Sequence, residues 1–250
     1  MRILAFTSYL GTYFNGWQRQ KDKRSVQGTI EDALKKIYKR EVKIVGAGRT
    51  DAGVHAENQA FHFTPPFKID MENLYMALNS ILPWDVKINK LIEVPEDFHS
   101  RKNVKSKVYL YKLKMGNFLM PFEALNFGLT KYDLNLKKME EALKFFEGEK
   151  EFYKFTVLPH LYKSTKRKII RTKFLSKGDK IFIYIEGNGF LRYQIRRIVG
   201  TIIEIGRGKK ELDWLDELFD KNNTEEAGSP VEAKGLTLLN VKYPKKFLWE

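Results

Sequence analysis

The stretch VGAGRTDAGVHA, Val45 to Ala56, sets three glycines around an arginine and an aspartate two positions apart, with a histidine close behind. Two readings compete for it, and they lead to different folds. As a phosphate cradle it would open a parallel α/β sheet, with a pyrophosphate resting on the N-terminus of the helix that follows. Gly46 and Gly48 supply the first two glycines of G-x-G-x-x-G, but the third position falls on Asp51, whose carboxylate would face the pyrophosphate. Gln59 to Phe63, a little further on, reads as a strand rather than a helix, and no Gly-Lys-Ser/Thr follows to make a Walker loop. The loop therefore presents side chains, Arg49, Asp51 and His55, between glycines that permit unusual backbone angles. On the residues alone two roles for Asp51 stand. It closes an Asx turn with Arg49 as a surface ion-pair partner, or it is held ionised by a nearby arginine as a nucleophile or base.

Working outward, residues 1–9 alternate as a strand, and Ser25 caps a helix running to about Lys39 with Val26, Ile30, Ala33, Leu34 and Ile37 on one face. Glu41 to Val45 reads as a short strand leading into the loop. Leu74, Ala77, Leu78 and Ile81 mark a second helix that stops before Pro83, and Val86 to Val94 is a further strand. The order β-α-β-β-α-β then recurs. Val104 to Met115 alternates, Leu136 to Phe146 is helical with Gly148 as its stop, and Ile169–Leu175 with Lys180–Glu186 forms a hairpin turning at Lys177–Asp179. Phe190 to Ile205 reads as a helix, Leu212 to Phe219 as a short extra one, and Leu236 to Tyr243 as a last strand; Lys221 to Gly228 is a polar loop. The expectation is an α+β fold of two ferredoxin-like halves, residues 1–103 and 104–250. The repeat lies in element order and not in residue identity.

The 250 residues contain no cysteine, which removes disulfides, thiolate nucleophiles and zinc sites built on CxxC. His55 and His62 lie seven apart across a loop and a strand, poor geometry for a shared ion, so no metal is expected. No apolar run approaches the ~18–20 residues of a membrane span, and MRILAFTSYLG lacks the layout of a signal peptide. The expected setting is the cytoplasm, with no membrane partner. Lys and Arg number 45 against 31 Asp and Glu, a formal charge of +14 that makes nucleic acid the first partner to consider. A solvated lysine- and glutamate-rich surface is the alternative. The segments RQKDKR (Arg19–Arg24), KNVKSK (Lys102–Lys107) and YKSTKRKIIRTK (Tyr162–Lys173) are the places where phosphate contacts would gather.

The loop, with Gln59 and the pair His62–Phe63 behind it, resembles the signature of the tRNA pseudouridine synthase A (TruA) family. The similarity runs on through GTYFNGWQRQ (Gly11–Gln20), SVQGTIEDAL, LNSILPWDVKI (Leu78–Ile88), FHSRKNVKSKVYLYKL (Phe98–Leu113), GNGFLRYQIRRIVGTIIEIGRG (Gly187–Gly208) and KGLTLLNVKYP. Two blocks depart from the family pattern, at Ser100-Arg101-Lys102, where Ala-Arg-Phe is common, and at Gln194-Ile195-Arg196, where Met-Val-Arg is. The resemblance implies that the two halves form a pseudouridine synthase fold with an extended, mainly antiparallel sheet and a central catalytic cleft. It implies also that the chain is a tRNA pseudouridine(38–40) synthase, an isomerase that flips a uridine out of the anticodon stem-loop and needs neither redox cofactor nor metal. It places the nucleophile or charge stabiliser on Asp51, its ion-pair partner on Arg196, the filling of the vacated stack on Arg49, and stacking on the flipped base on Tyr109. Attack at C6, attack at C1′ and abstraction of a sugar proton all stand as steps for Asp51 at this point. Alternation over Val108–Tyr111 by itself leaves either tyrosine free to be core. The further substrate-facing set is His55, His99, Arg101, Lys105 and Arg197, with His55 also shaping the loop. The resemblance also implies a homodimer with RNA spanning both subunits. The rival from another class is a catalytically silent RNA-binding protein, which would not need Arg49, Asp51, Tyr109 and Arg196 together.

Overall fold

A computed structural model of the chain describes residues 1–220 and 222–247. The fold is α+β with a mainly antiparallel pairing of strands, the class expected. It divides into two compact units, Met1–Lys107 together with the segment from Thr237 onward, and Val108–Leu236.

In the first unit β1 (Arg2–Tyr9) lies between β3 (His55–Phe63) and β4 (Val86–Val94), antiparallel to both, with Leu4 opposite His62 and Ile92. Ile3, Leu4 and Ala5 are wholly buried, as a central strand covered on both faces must be. The outer edge of β3 is shared. β2 (Val45–Gly46) pairs antiparallel with Phe61 and His62, while β10 (Leu236–Lys242) pairs parallel with His55 and Ala56. Helix α1 (Val26–Tyr38) starts where expected, the Ser25 hydroxyl accepting from the Gly28 amide, and ends on Lys39 in the left-handed region. Helix α2 (Met71–Ile81) is capped by Asp70, which accepts from the amides of Glu72 and Asn73, and lies against β4.

Two expectations change here. The strand over Glu41–Val45 shrinks to two residues: Val42 and Ile44 are buried alternately, but the Ile44 amide donates to the Glu31 carboxylate (3.2 Å) instead of joining a ladder. The strand after the loop begins at His55 rather than Gln59, so His55 is a strand residue and not a loop one.

The second unit has the strand order β5 (Ser106–Met115), β9 (Lys180–Gly187), β8 (Lys166–Lys177) and β7 (Gly148–Glu151), with β6 (Gly128–Thr130) parallel on β5. The β8–β9 hairpin turns at Gly178–Asp179. β6 and β7 were not foreseen. Helix α3 (Leu136–Phe145) packs on α4 (Gln194–Gly206), and a short α5 (Trp214–Phe219) brings Phe219 into a cluster with Phe146, Phe152 and Phe155. The helix expected from Phe190 begins only at Gln194, because Tyr193 sits in the left-handed region (φ +64°) and breaks the helical path. Of the polar loop Lys221–Gly228, Lys221 lies outside the described residues, and the rest has neither helix nor strand.

Candidate active site

Asp51 is half-buried and Arg49, two residues before it, is exposed. The loop that carries them is fastened at both ends by backbone. On the incoming side the Ala47 amide donates to the Ala60 carbonyl (2.7 Å), and the Trp17 amide donates to Thr50 (3.1 Å). On the outgoing side the Val54 amide closes onto the Asp51 carbonyl (3.2 Å), and Gly53 donates to Phe14 (3.4 Å). Of the loop's glycines only Gly53 needs the left-handed region (φ +80°). Gly46 and Gly48 serve close approach, since a Cβ on either would collide with the Trp17 indole or the Lys107 amine.

Side chains complete the frame. The Tyr9 hydroxyl meets the Thr50 hydroxyl at 2.9 Å in a buried setting, and burial raises the phenol well above its ordinary range, so it stays protonated. Lys107 Nζ donates to the Ala47 carbonyl (2.9 Å); burial first, and Arg101 second, push this amine down to about 8. Ser100 donates its hydroxyl to the Val45 carbonyl (2.6 Å), and its amide donates to Nδ1 of His62 (3.1 Å). That donor fixes His62 as neutral with its proton on Nε2, in keeping with a pKa pushed down to about 4 by burial, then by Arg2 and His99. Serine at position 100, one of the two departures noted in the sequence, thus ties the loop's entry to β3.

The remaining first-unit candidates flank this frame. His55 is buried and its Nδ1 accepts from the Gly11 amide (3.0 Å), which makes it a support of the segment that grips the loop. His99 accepts at Nδ1 from the amides of Arg101 (3.2 Å) and Lys102 (3.4 Å), and burial, with Lys102 next, lowers its pKa. Arg101 and Lys105 are exposed.

Three candidates belong to the second unit. Tyr109 on β5 is buried and meets the ring of Phe190 edge-on at 5.3 Å. Arg196, in the first turn of α4, donates from Nε to the Val231 carbonyl (2.6 Å) and lies 4.8 Å from the Tyr193 ring centroid. Gln194, the other departure, accepts through its side chain from the Leu191 amide (2.8 Å) and so secures the entry to α4. Arg197 turns to the Lys154 carbonyl (2.6 Å) and to Glu226 (3.5 Å). Among the described residues no group of three or more His, Cys, Asp or Glu side chains could hold a metal, and no helix is long and apolar enough to cross a membrane.

A family model described as tRNA pseudouridine synthase matches residues 5–101 and 142–244, which include the loop and α4. The chain belongs to the tRNA pseudouridine synthase family. It is 39% identical over 245 residues to the tRNA pseudouridine synthase A of Thermodesulfovibrio yellowstonii, covering 94% of this chain and 96% of that protein. It is 38% identical to that of Bacillus pumilus (97% and 99% covered) and 37% identical to that of Ligilactobacillus salivarius (98% and 97%).

Within this family framework, the residues missed by reading the sequence are the ones that hold the loop: Tyr9, Ser100 and Lys107. Lys107 had a signal, because it shares the alternation of Tyr109 and Tyr111 along β5. Tyr9 and Ser100 had none, since their partners lie 41 and 55 residues away.

Proposed function

We propose that the chain acts on uridine at one or more of positions 38, 39 and 40 of the tRNA anticodon stem-loop, and that Asp51 is the residue on which the reaction turns. Isomerisation of uridine to pseudouridine in tRNA belongs to the chain as a member of its family. In that reaction the N1–C1′ bond breaks, the base rotates, C5 bonds to C1′, and the proton lost from C5 is balanced by one gained at N1. The observation that carries the assignment is the mounting of Asp51: a half-buried carboxylate on a loop fastened by backbone at both flanks. Such fixing removes reorganisation at the moment of reaction.

In this reading Arg49, exposed beside Asp51, enters the space the uridine leaves, offsetting part of the few kcal/mol that unstacking costs. Tyr109 stacks on the flipped base, and Arg196 supplies a fixed positive charge to the reaction. His99, Arg101, Lys105 and Arg197 contact the RNA. The chain works in the cytoplasm as a homodimer, and sedimentation with and without tRNA checks the stoichiometry.

The test is tritium release from tRNA labelled at uridine C5. Wild type releases tritium, and Asp51→Asn, of nearly the same shape, releases none while binding tRNA with unchanged affinity. Equal turnover by the two proteins would overturn the assignment.

A further inference from the structure

The segment that grips the Asp51 loop carries something on its other side. The short turn Gly11–Tyr13 sits with the Gly11 amide on His55 and the Phe14 carbonyl on Gly53. Tyr13, between them, points its ring away from the core at 48% exposure and meets Trp84 edge-on, centroids 5.8 Å apart. Trp84 is 72% exposed.

A tryptophan so placed is ordinarily a loss, because its apolar surface stays in water. The mounting here is nevertheless rigid. Asp85, next in the chain, is buried and takes both guanidinium nitrogens of Arg24 (2.7 and 2.8 Å). That guanidinium stacks 4.1 Å from the Phe14 ring centroid, and the Asp85 carbonyl accepts from the Leu10 amide (3.0 Å). The Val86 amide closes the turn on Pro83 (3.1 Å). Both rings are thus held by well-tied backbone, with Arg24 linking the two segments through the Tyr13 carbonyl (3.5 Å) and the Asp85 carboxylate.

Resting on the function proposed above, we propose that Tyr13 and Trp84 form a stacking platform for an unpaired base of the anticodon loop next to the target uridine. Three features favour RNA over a second copy of the chain. Tyr13 stands on the segment that hydrogen-bonds the carboxylate loop, the Arg24 guanidinium reaches the Tyr13 carbonyl (3.5 Å) in a chain of formal charge +14, and an aromatic face accepts any base without needing sequence complementarity. At 72% exposure the indole keeps most of its surface in solvent, within reach of a stacking base. Base stacking on an aromatic side chain is worth about 1–3 kcal/mol by truncation, so one ring changes affinity by about ten-fold.

Trp84→Leu keeps an apolar side chain and removes the π-face; Trp84→Phe keeps a face. The expected result is a kcat/KM on tRNA about ten-fold lower for Trp84→Leu, carried by KM, with most of the affinity kept by Trp84→Phe. An anticodon stem-loop RNA quenches tryptophan fluorescence in the wild type and less in Trp84→Leu, while a fully paired duplex of equal length quenches neither. Trp84→Leu binding as tightly as wild type would overturn the platform, as would equal losses from Leu and Phe. So would a change of oligomeric state with per-subunit RNA affinity unchanged, which would make the patch a contact between copies. A wild type without turnover strikes the proposed function instead, whereas an active wild type beside an unaffected Trp84→Leu strikes only the platform.

Discussion

Asp51 stands on a loop and Arg196 on a helix, and the two units fix them by different means. Around Asp51 the loop's own peptide groups are fastened, by backbone from Trp17 to Thr50, Gly53 to Phe14 and Ala47 to Ala60, and by the Ser100 and Lys107 side chains at Val45 and Ala47. Around Arg196 the backbone is ordinary helix, and a side-chain bond from Nε to Val231 sets the guanidinium. A residue on irregular chain is aimed by whatever touches the chain beside it. A residue on a helix is aimed by what lies over its own side chain.

Crowding the backbone separates the two cases most sharply. A Cβ at Gly11 would fall inside the van der Waals surface of the Val54 carbonyl, with the main chain on both sides unable to yield. Gly11→Ala is expected to lose about 3 kcal/mol or more of stability in denaturant titration and to abolish turnover in whatever folds. Full activity there would break the claim that backbone contact aims Asp51. Gly200 on α4 faces the Ser229 carbonyl as closely, in a segment that also takes the Val231 amide onto Arg196. Gly200→Ala is expected to cost less, about 2 kcal/mol, because residues 228–231 are irregular chain that can shift. It should lower kcat only in part, since the helix itself remains. Amide exchange would place the first defect in β3 and the second along α4.

Acid sharpens the comparison at a smaller scale. His62 in the first unit is pushed from 6.5 to about 4, so the unfolded chain takes up the proton first. Its contribution to stability is complete above pH 6.5 and is lost as pH falls towards 4. In the second unit Glu123 is held down from 4.5 to about 2 by Lys114 first, then Lys180 and the Met120 amide, so its contribution persists until pH falls below 4.5. Moving from pH 7 to 5 should therefore lower amide protection factors in β1 and β3 while leaving those of β5 and β9 unchanged. Equal loosening of both would refute the assignment to His62.

The smallest effects belong to the charged surface. The logarithm of tRNA affinity should fall steeply with the logarithm of salt. Lys21→Ala and Lys23→Ala should each lower that slope by about 1. Lys166→Ala in the second unit should lower it less, because Lys166 is already paired with Glu149 at 2.8 Å.

What could be read beforehand follows the same division. Helix α1 was legible because its signals are local: a Ser25 cap, apolar residues at helical spacing, a stop at Lys39. The aspartate loop was legible as a presenter of side chains because the glycine spacing failed the phosphate pattern. Tyr193 was not, since Phe190 and Leu191 continue the apolar pattern of α4 while the backbone has turned left-handed. Val42 and Ile44 misled in the opposite direction, their alternation arising from burial without a partner strand. Strand β10 was found at its true place in the chain, but its pairing with β3 joins Thr237 to His55, and no short-range pattern encodes such a distance.

That last pairing bears on the order in which the protein is made. Strand β10 leaves the ribosome after the whole of the second unit, yet it belongs beside β3, and Tyr243 just beyond it donates its hydroxyl to the Ser100 carbonyl (2.7 Å). Ser100 in turn holds Val45 at the mouth of the Asp51 loop. A nascent chain thus synthesises its carboxylate early and finishes mounting it late.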